Sequence, residues 1–436
     1  MDTVAEAPQP KKSSPVRSRA WFWVPTLYWT EGLPYAMVVT VSVILYKQLG
    51  FSNAQIAFST SWLYLPWVLK PLWSPVVDLL KTRRLWIWTT ELLFGAGMAG
   101  IALTLPTTRA FQLSLAFFWL LAFSSATHDI AADGFYMLAL PEREQSFFIG
   151  VRNFFYRVAM ISAQGLLVMA AGEIQQRTGS KVLGWSLACG IGSALFLALG
   201  AYHGFMLPRP VSDHRGPSRS LNQLFEQFFR TFGEFFRKPK IILLLAFILF
   251  YRFGEAQLLK IIAPFLLDSR STGGLGLDVK QVGFVYGTIG VIALMLGGIL
   301  GGILVSRWGL RAWLWPMVCV MHVPDLSFVF LAWIQPHNLG VISGCVAAEQ
   351  FGYGFGLTAY FLYLIHIARG NHPTAHYAIC TGFIALGMMM PGLWSGWLQE
   401  RIGYLHFFGW VLVATIPGFV LTGLISFEPD FGRKSA

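Results

Sequence analysis

Mostly apolar stretches of spanning length recur twelve times along this chain, at about 21–46, 53–78, 85–105, 110–133, 147–172, 183–205, 241–267, 280–305, 312–334, 339–368, 375–398 and 405–426. A bilayer core of about 30 Å takes roughly 20 apolar residues per helix. Inside lipid every backbone N–H and C=O must find a partner within the protein, which leaves helices or closed barrels as spanning structures. Runs this long and continuous read as helices. Only 12% of the residues are charged and 55% are hydrophobic, whereas soluble domains carry about a quarter charged. The expected fold is an all-α membrane protein of twelve transmembrane helices.

Lys and Arg placement gives the orientation, because cytoplasmic loops are enriched in both. With the N-terminus inside, the inner segments hold 20 basic residues and the outer loops hold 7. Both termini are therefore expected in the cytoplasm. The net charge of +11 lies in loops flanking the spans rather than on one soluble face, which argues against nucleic acid as a partner. Residues 1–20 read as a disordered tail without a cleavable signal, because the first apolar run already has spanning length. Two six-span halves, 21–206 and 241–427, flank a basic linker at 207–240, and 428–436 form a short cytoplasmic tail. In the linker, Leu221, Leu224, Phe225, Phe228, Phe232, Phe235 and Phe236 recur at helical spacing, with Ser220 and Gln223 as a capping box. This predicts an amphipathic helix lying on the inner leaflet or packed on the bundle. The four cysteines fall inside apolar runs without metal-ligand spacing, so no metal or cofactor is expected.

An ionisable group at the bilayer centre costs about 2.5–3.5 kcal/mol even on lenient scales. Charges inside spans are therefore the residues to follow. Glu31 in span one stands beside Gly32 and Pro34, with Tyr28 and Tyr35 on its face. It reads as a proton- or substrate-binding carboxylate, or as a structural one bonded to a tyrosine. Asp129 and Asp133 are four apart in span four and share a face. They suit proton coupling, or gate salt bridges to Arg152 or Arg157. In span seven, Arg252 and Glu255 can pair on one face, while Lys260 is turned away from Glu255. Arg252 or Lys260 would meet an anionic substrate group, unless the cluster is a structural ion network. In span ten, Glu349, Gln350, Tyr353 and Tyr360 offer carboxylate, amide and aromatic groups suited to a sugar or peptide. His322 and Asp325 flank Pro324 in span nine, a helix expected at the periphery. The candidate proton-coupling residues are thus Glu31, Glu255, Asp129 and Glu349. Substrate contacts are assigned to Tyr28, Tyr35, Arg252, Lys260, Gln350, Tyr353 and Tyr360. Gate or structural roles go to Asp78, Arg83, Asp133, Arg152, Arg157 and Arg307. Gly297, Gly298, Gly301 and Gly302 in span eight form small-xxx-small patterns that allow close helix approach. No G-x-x-x-x-G-K-[ST], H-E-x-x-H or G-x-S-x-G motif is present, which argues against an ATP-driven pump or an enzyme.

Four segments carry a family resemblance. They are Gly32-Leu33-Pro34, the run from Lys70 through Pro75 to Asp78, Ala126 to Asp133 with Leu140-Pro141-Glu142 after it, and Tyr251 to Ala256. Across nearly all of 21–426 the chain resembles the AmpG-type muropeptide permeases, a major facilitator branch that includes acetyl-CoA transporter relatives. The departures are His128 where members carry glutamine, no charged residue shortly after Asp133, Ser306 in place of an aspartate, and an aromatic-rich span ten. The resemblance implies a major facilitator fold with two pseudo-symmetric halves and a midplane substrate site. It implies a monomeric symporter in a bacterial inner membrane that couples protons to import of GlcNAc-anhydro-MurNAc, with or without peptide, for cell-wall recycling. A carrier of another bulky anion, such as a CoA thioester or siderophore, remains open on the residues alone, as does a non-transporting sensor or scaffold.

Overall fold

The computed structural model describes residues 19–80, 82–210, 213, 221–370, 372–426 and 431–433, and for 78–80, 221–225, 227, 228, 373 and 374 it describes backbone alone. The expectations for the two chain tails, for the Ser220 cap and for the Asp78 side chain fall largely or wholly outside the described residues. No strand occurs among the described residues. The twelve expected spans are found as helical passes 24–48, 53–80, 83–104, 110–139, 142–178, 181–206, 241–267, 279–308, 310–334, 339–368, 373–402 and 404–424. Nine helices among the described residues are long and apolar enough to cross a membrane. The last of these is two spans joined at Gly403, whose φ of 74° turns the chain where a side chain would be strained.

Several passes run past the apolar window that predicts them. Span four continues to Ala139 and span five starts at Glu142, so Asp129 and Asp133 lie inside a helix rather than at its end. Charges lower local hydropathy without ending a helix whose backbone is fully bonded.

Spans one, two, seven and nine are interrupted, and spans five and eight also carry π-turns, at Ser162–Leu167 and Gly283–Gly290. Pro34 withholds a backbone donor in span one, and the helix passes into a π-turn at Met37–Val41. Span two breaks between Asn53–Trp62 and Leu65–Leu80, just ahead of Pro66. Span nine tightens to a 3₁₀ turn at Val323–Asp325 around Pro324. Span seven breaks at Tyr251 and Arg252, between Ile241–Phe250 and Phe253–Leu267.

Span three packs on four and six, and span one on five, around buried Phe94, Phe118, Trp185 and Phe196. In the second half, span ten packs on eight and nine, while Phe265, Phe328, Phe407 and Phe408 join spans seven, nine and twelve. Exposed apolar residues recur four apart outside, as Ile191 and Leu195 in span six and Ile416, Val420 and Leu424 in span twelve. A stripe of this kind is suited to lipid rather than water.

The linker helix Leu221–Phe236 docks on the second half. Phe235 is fully buried against the His376 ring at 5.6 Å, and Phe236 meets Phe383 at 6.1 Å. Just beyond it, Lys238 donates to the carbonyls of Ile367 at 2.5 Å and Arg369 at 2.8 Å. Partial burial pulls this lysine below its ordinary pKa. Of the two placements open to this helix, its C-terminal turns take the one against the bundle.

Candidate substrate cavity

The two halves meet tightly on the side opposite the linker. Spans five and eight cross there through glycines. A Cβ on Gly172 would stand 2.7 Å from the Lys280 amide nitrogen, one on Gly165 2.5 Å from Thr288 Oγ1, and one on Gly287 would overlap the Gln164 carbonyl. Spans two and eleven cross in the matching way, with Gly396 against the Asn53 backbone and Gly392 against Ser61. Polar bonds close the seam above these crossings. Lys47 pairs with Asp268 at 2.7 Å, Asn53 donates to Gln399 at 2.6 Å and to Tyr404 at 2.9 Å, and Lys280 pairs with Glu173 at 2.7 Å.

Below this seal a hollow of about 960 Å³ separates the halves. Span one supplies Tyr28 and Glu31, and span five supplies Asn153, Tyr156 and Arg157. The facing wall holds Gly298, Thr358 and Tyr377 from spans eight, ten and eleven. Its floor residues Gly150, Asn153 and Phe154 are exposed near the linker-side start of span five. The cavity therefore opens toward the linker and is shut on the far side.

Gly32 explains how Glu31 reaches the cavity. A Cβ at Gly32 would lie 2.7 Å from the Tyr156 carbonyl and 3.0 Å from the Ala159 Cβ, so only glycine lets spans one and five cross here. That crossing turns the neighbouring Glu31 into the hollow, where its Oε2 has no hydrogen-bond partner.

Around it the first half resolves its charges by pairing. Arg152 bonds Asp133 at 2.7 Å and lies over the Tyr28 ring at 4.4 Å, and the Tyr28 hydroxyl donates to the same carboxylate at 3.2 Å. Asp129 takes neither arginine. It accepts from Lys70 at 3.3 Å and from the Trp67 indole at 3.2 Å, which gives the lysine of the Lys70–Pro75 run a physical reason. Arg157, read beforehand as a gate residue, faces the cavity with only the Met160 sulfur at 3.4 Å as a partner, and no carboxylate pairs with it among the described residues. Tyr35 stands edge-on to Trp67 at 5.2 Å rather than on the cavity wall. Arg83 lies against Gly134 at the linker-side end, and Arg307 is exposed.

The second half treats its polar residues differently. Arg252 sits at the break of span seven, bonded to the Tyr353 hydroxyl, with the Tyr353 and Tyr360 rings at 5.1 and 5.9 Å. Tyr360 is fully buried and donates at 2.7 Å to the Ile248 carbonyl beside the break, so it braces the helix instead of lining the hollow. Gln350 donates to Glu349 at 2.9 Å. Glu255, Glu349 and Asp325 gather between spans seven, nine and ten, all at most 1% exposed and none on the cavity wall. Lys260 is buried in the far-side seal, donating to Thr60 at 3.0 Å and lying 5.1 Å from the Tyr64 ring centre.

Sequence reasoning missed Asn153, Tyr156, Thr358 and Tyr377 on the cavity wall, since single polar residues in an aromatic-rich chain carry no pattern. It also missed the Lys47–Asp268 seal, because charges in loops look ordinary. His128, the departure from the family pattern, bonds Thr90 at 2.9 Å and packs on Phe94, away from the hollow.

A profile of the Major Facilitator Superfamily matches residues 26–390. Among curated proteins, the anhydromuropeptide permease of Escherichia coli (strain K12) is 26% identical over 407 residues, covering 91% of this chain and 77% of that one. The putative transporter AmpG 4 of Rickettsia conorii is 23% identical over 396 residues, covering 89% and 92%. Among solved structures, a bacterial homolog of the human lysosomal transporter Spinster, inward-facing and unoccupied, superposes with a TM-score of 0.68 at 19% identity over 95% of this chain and 96% of that one. The inward-open xylose transporter of E. coli gives 0.66 at 14% identity, covering 93% and 96%.

Proposed function

This chain belongs to the Major Facilitator Superfamily, and from that premise we propose that it is a proton-coupled importer of anhydro-muropeptides working by alternating access in a bacterial inner membrane. The curated relatives support the substrate class. The observation that carries the reading is the sealed-above, open-below hollow of about 960 Å³ with one cation, Arg157, lacking a carboxylate and one carboxylate oxygen, on Glu31, lacking a donor. Ligand pockets usually run about 300–1,000 Å³, so this one suits a disaccharide with a peptide rather than a bare ion. Arg157 would take a substrate carboxylate, Glu31 a hydroxyl or amide, and Tyr28, Tyr156 and Tyr377 the sugar faces.

A CoA thioester fits less well. Its several phosphates would want several uncommitted cations, whereas Arg152 is already neutralised by Asp133. In this reading the inner surface is the linker side, and the termini lie there too. The cycle reverses the Lys47–Asp268 side and closes the hollow below. Protonation of Glu31, with Glu255 second, biases which side opens, which requires the site to hold protons differently in the two states.

Uptake of labelled anhydro-muropeptide into proteoliposomes tests this. Accumulation is expected only with an inward proton gradient, and Glu31→Gln should abolish the gradient dependence while the purified protein keeps its melting temperature. Gradient-independent uptake by the wild type would remove the coupling. Saturable acyl-CoA binding without muropeptide binding would transfer the site to the other anion. No flux of either would leave a sensor or scaffold.

A further inference from the structure

The three buried acids of the second half do not belong to the substrate hollow, and nothing in the transport reading requires them to lie together. One ligand oxygen each from Glu255, Glu349 and Asp325 comes within 4.8 Å of the other two. They arrive from three helices. Glu255 follows the break in span seven, Asp325 closes the 3₁₀ turn of span nine, and Glu349 lies inside span ten. Two independent backbone irregularities thus aim carboxylates at one point.

The point lacks partners. Both oxygens of Glu255 and both of Asp325 are buried without a hydrogen-bond donor. His322, 2% exposed, has neither ring nitrogen bonded, and its Nδ1 stands 3.7 Å from Asp325 Oδ2. Glu349 is held by the Gln350 amide at 2.9 Å and lies within hydrogen-bond reach of the Glu255 carboxyl, itself an acceptor unless one of the two is protonated. Buried carboxylates are ordinarily paired, protonated or coordinated to a metal. Asp129 and Asp133 of the first half show pairing, each with a basic group in reach. Here Arg252, the nearest cation of span seven, is engaged with Tyr353 instead.

We propose that Glu255, Glu349 and Asp325 form a binding site for one hard, dehydrated cation, with His322 positioning Asp325. The geometry fits such an ion. A point shared by three atoms no more than 4.8 Å apart lies within about 2.8 Å of each, so shifts of a few tenths of an ångström bring the oxygens to the roughly 2.3–2.6 Å of a calcium-sized ion. Sodium has a similar radius and the same preference for oxygen. Magnesium is disfavoured, because it demands about 2.0–2.1 Å and keeps its waters, for which so closed a site leaves little room. Binding displaces protons from the carboxylates and therefore weakens as pH falls. The other titratable or polar groups facing the site are His322, Arg252, Gln350 and the buried Tyr286 of span eight.

The site shares Glu255 with the coupling proposed above but no residue with the substrate hollow, and it is tested without substrate or gradient. Full-length protein in detergent, in choline buffer, is titrated separately with ²²Na⁺ and ⁴⁵Ca²⁺, and its melting temperature is followed in parallel. One of the two ions should bind at about one per chain and raise the melting temperature. Asp325→Asn and Glu349→Gln should weaken binding at least tenfold. Asp325→Glu, which keeps the oxygens, should retain it, and Arg157→Met in the hollow should leave it unchanged. If neither ion binds the wild type, the cluster is a store of shared protons and the proposal fails, with muropeptide transport untouched. If Asp325→Asn and Glu349→Gln bind like the wild type, the ion sits elsewhere and the proposal fails equally. Should both variants fold poorly, Asp325→Glu decides: it keeps all three carboxylates, so loss of binding in a well-folded Asp325→Glu protein would also overturn the proposal.

Discussion

The two halves of this molecule place charge in the membrane by opposite means. In the first half each acid near the hollow except Glu31 has a basic partner. Asp129 has Lys70 at 3.3 Å and Asp133 has Arg152 at 2.7 Å, while Arg157 is left over and faces water. In the second half the acids cluster with one another, and the cations are held by aromatic and hydroxyl groups, Arg252 by Tyr353 and Tyr360 and Lys260 by Thr60 and Tyr64. An intramembrane charge is costly anywhere. One half offsets that cost with solvent and salt bridges. The other offsets it with cation–π contacts and, in the inference above, a bound ion. Fold symmetry between halves therefore does not carry symmetry of chemistry.

The sharpest way to break this contrast is to remove one arginine from each half. Arg157→Met should weaken substrate binding by about thirtyfold or more, the scale for truncating one partner of a buried charge pair, and should leave thermal stability unchanged because Arg157 holds no structural ion pair. Arg252→Met should do the reverse, lowering the melting temperature with a small effect on affinity, because it frees the Tyr353 hydroxyl and loosens the break in span seven. Calorimetric binding alongside melting curves separates the two. Equal behaviour of both variants would erase the distinction. A smaller effect is expected within the first half. Lys70→Met and Asp129→Asn should each destabilise, and the double variant should recover about 1–2 kcal/mol of the summed loss, as coupled partners do. Additive losses in denaturation would mean that the pair is bridged through something else.

How far the sequence foretold this follows from what each signal measures. Apolar length reports the membrane, and so the twelve passes were legible. It cannot see Asp129 or Asp133 continuing inside a helix, since hydropathy falls wherever a charge stands. Intramembrane charge reports that a residue needs a special environment, and Glu31, Arg252, Glu255 and Glu349 all have one. It does not say which environment. Helical spacing placed Arg252 and Glu255 on a common face, but the break at Tyr251 and Arg252 turns them to different neighbours. His322 and Asp325 read as peripheral from the sequence because span nine is an outer helix in this architecture, and the 3₁₀ turn at Pro324 brings Asp325 back inward. Contacts between halves, such as Asn53 with Gln399, join residues hundreds of positions apart and leave no local trace.

The smallest effect sharpens the comparison at the seam where the halves meet. Lys47 and Asp268 are 14% and 22% exposed, so their attraction is partly screened and is worth about 1 kcal/mol or less. The glycine crossings beneath them are dry and steric. Lys47→Ala should therefore shift the population toward the far-side-open state by no more than about fivefold at low salt, and high salt should bring the wild type toward the variant. A cysteine at Ser61, fully buried against Gly392 in the closed seam, reports this by its rate of thiol labelling from the far side. A shift much larger than fivefold would make the ion pair, rather than the glycine packing, the element that holds the seal. No shift would leave closure to the backbone contacts of Gly165, Gly287 and Gly396, where only bulk and not charge can reopen it.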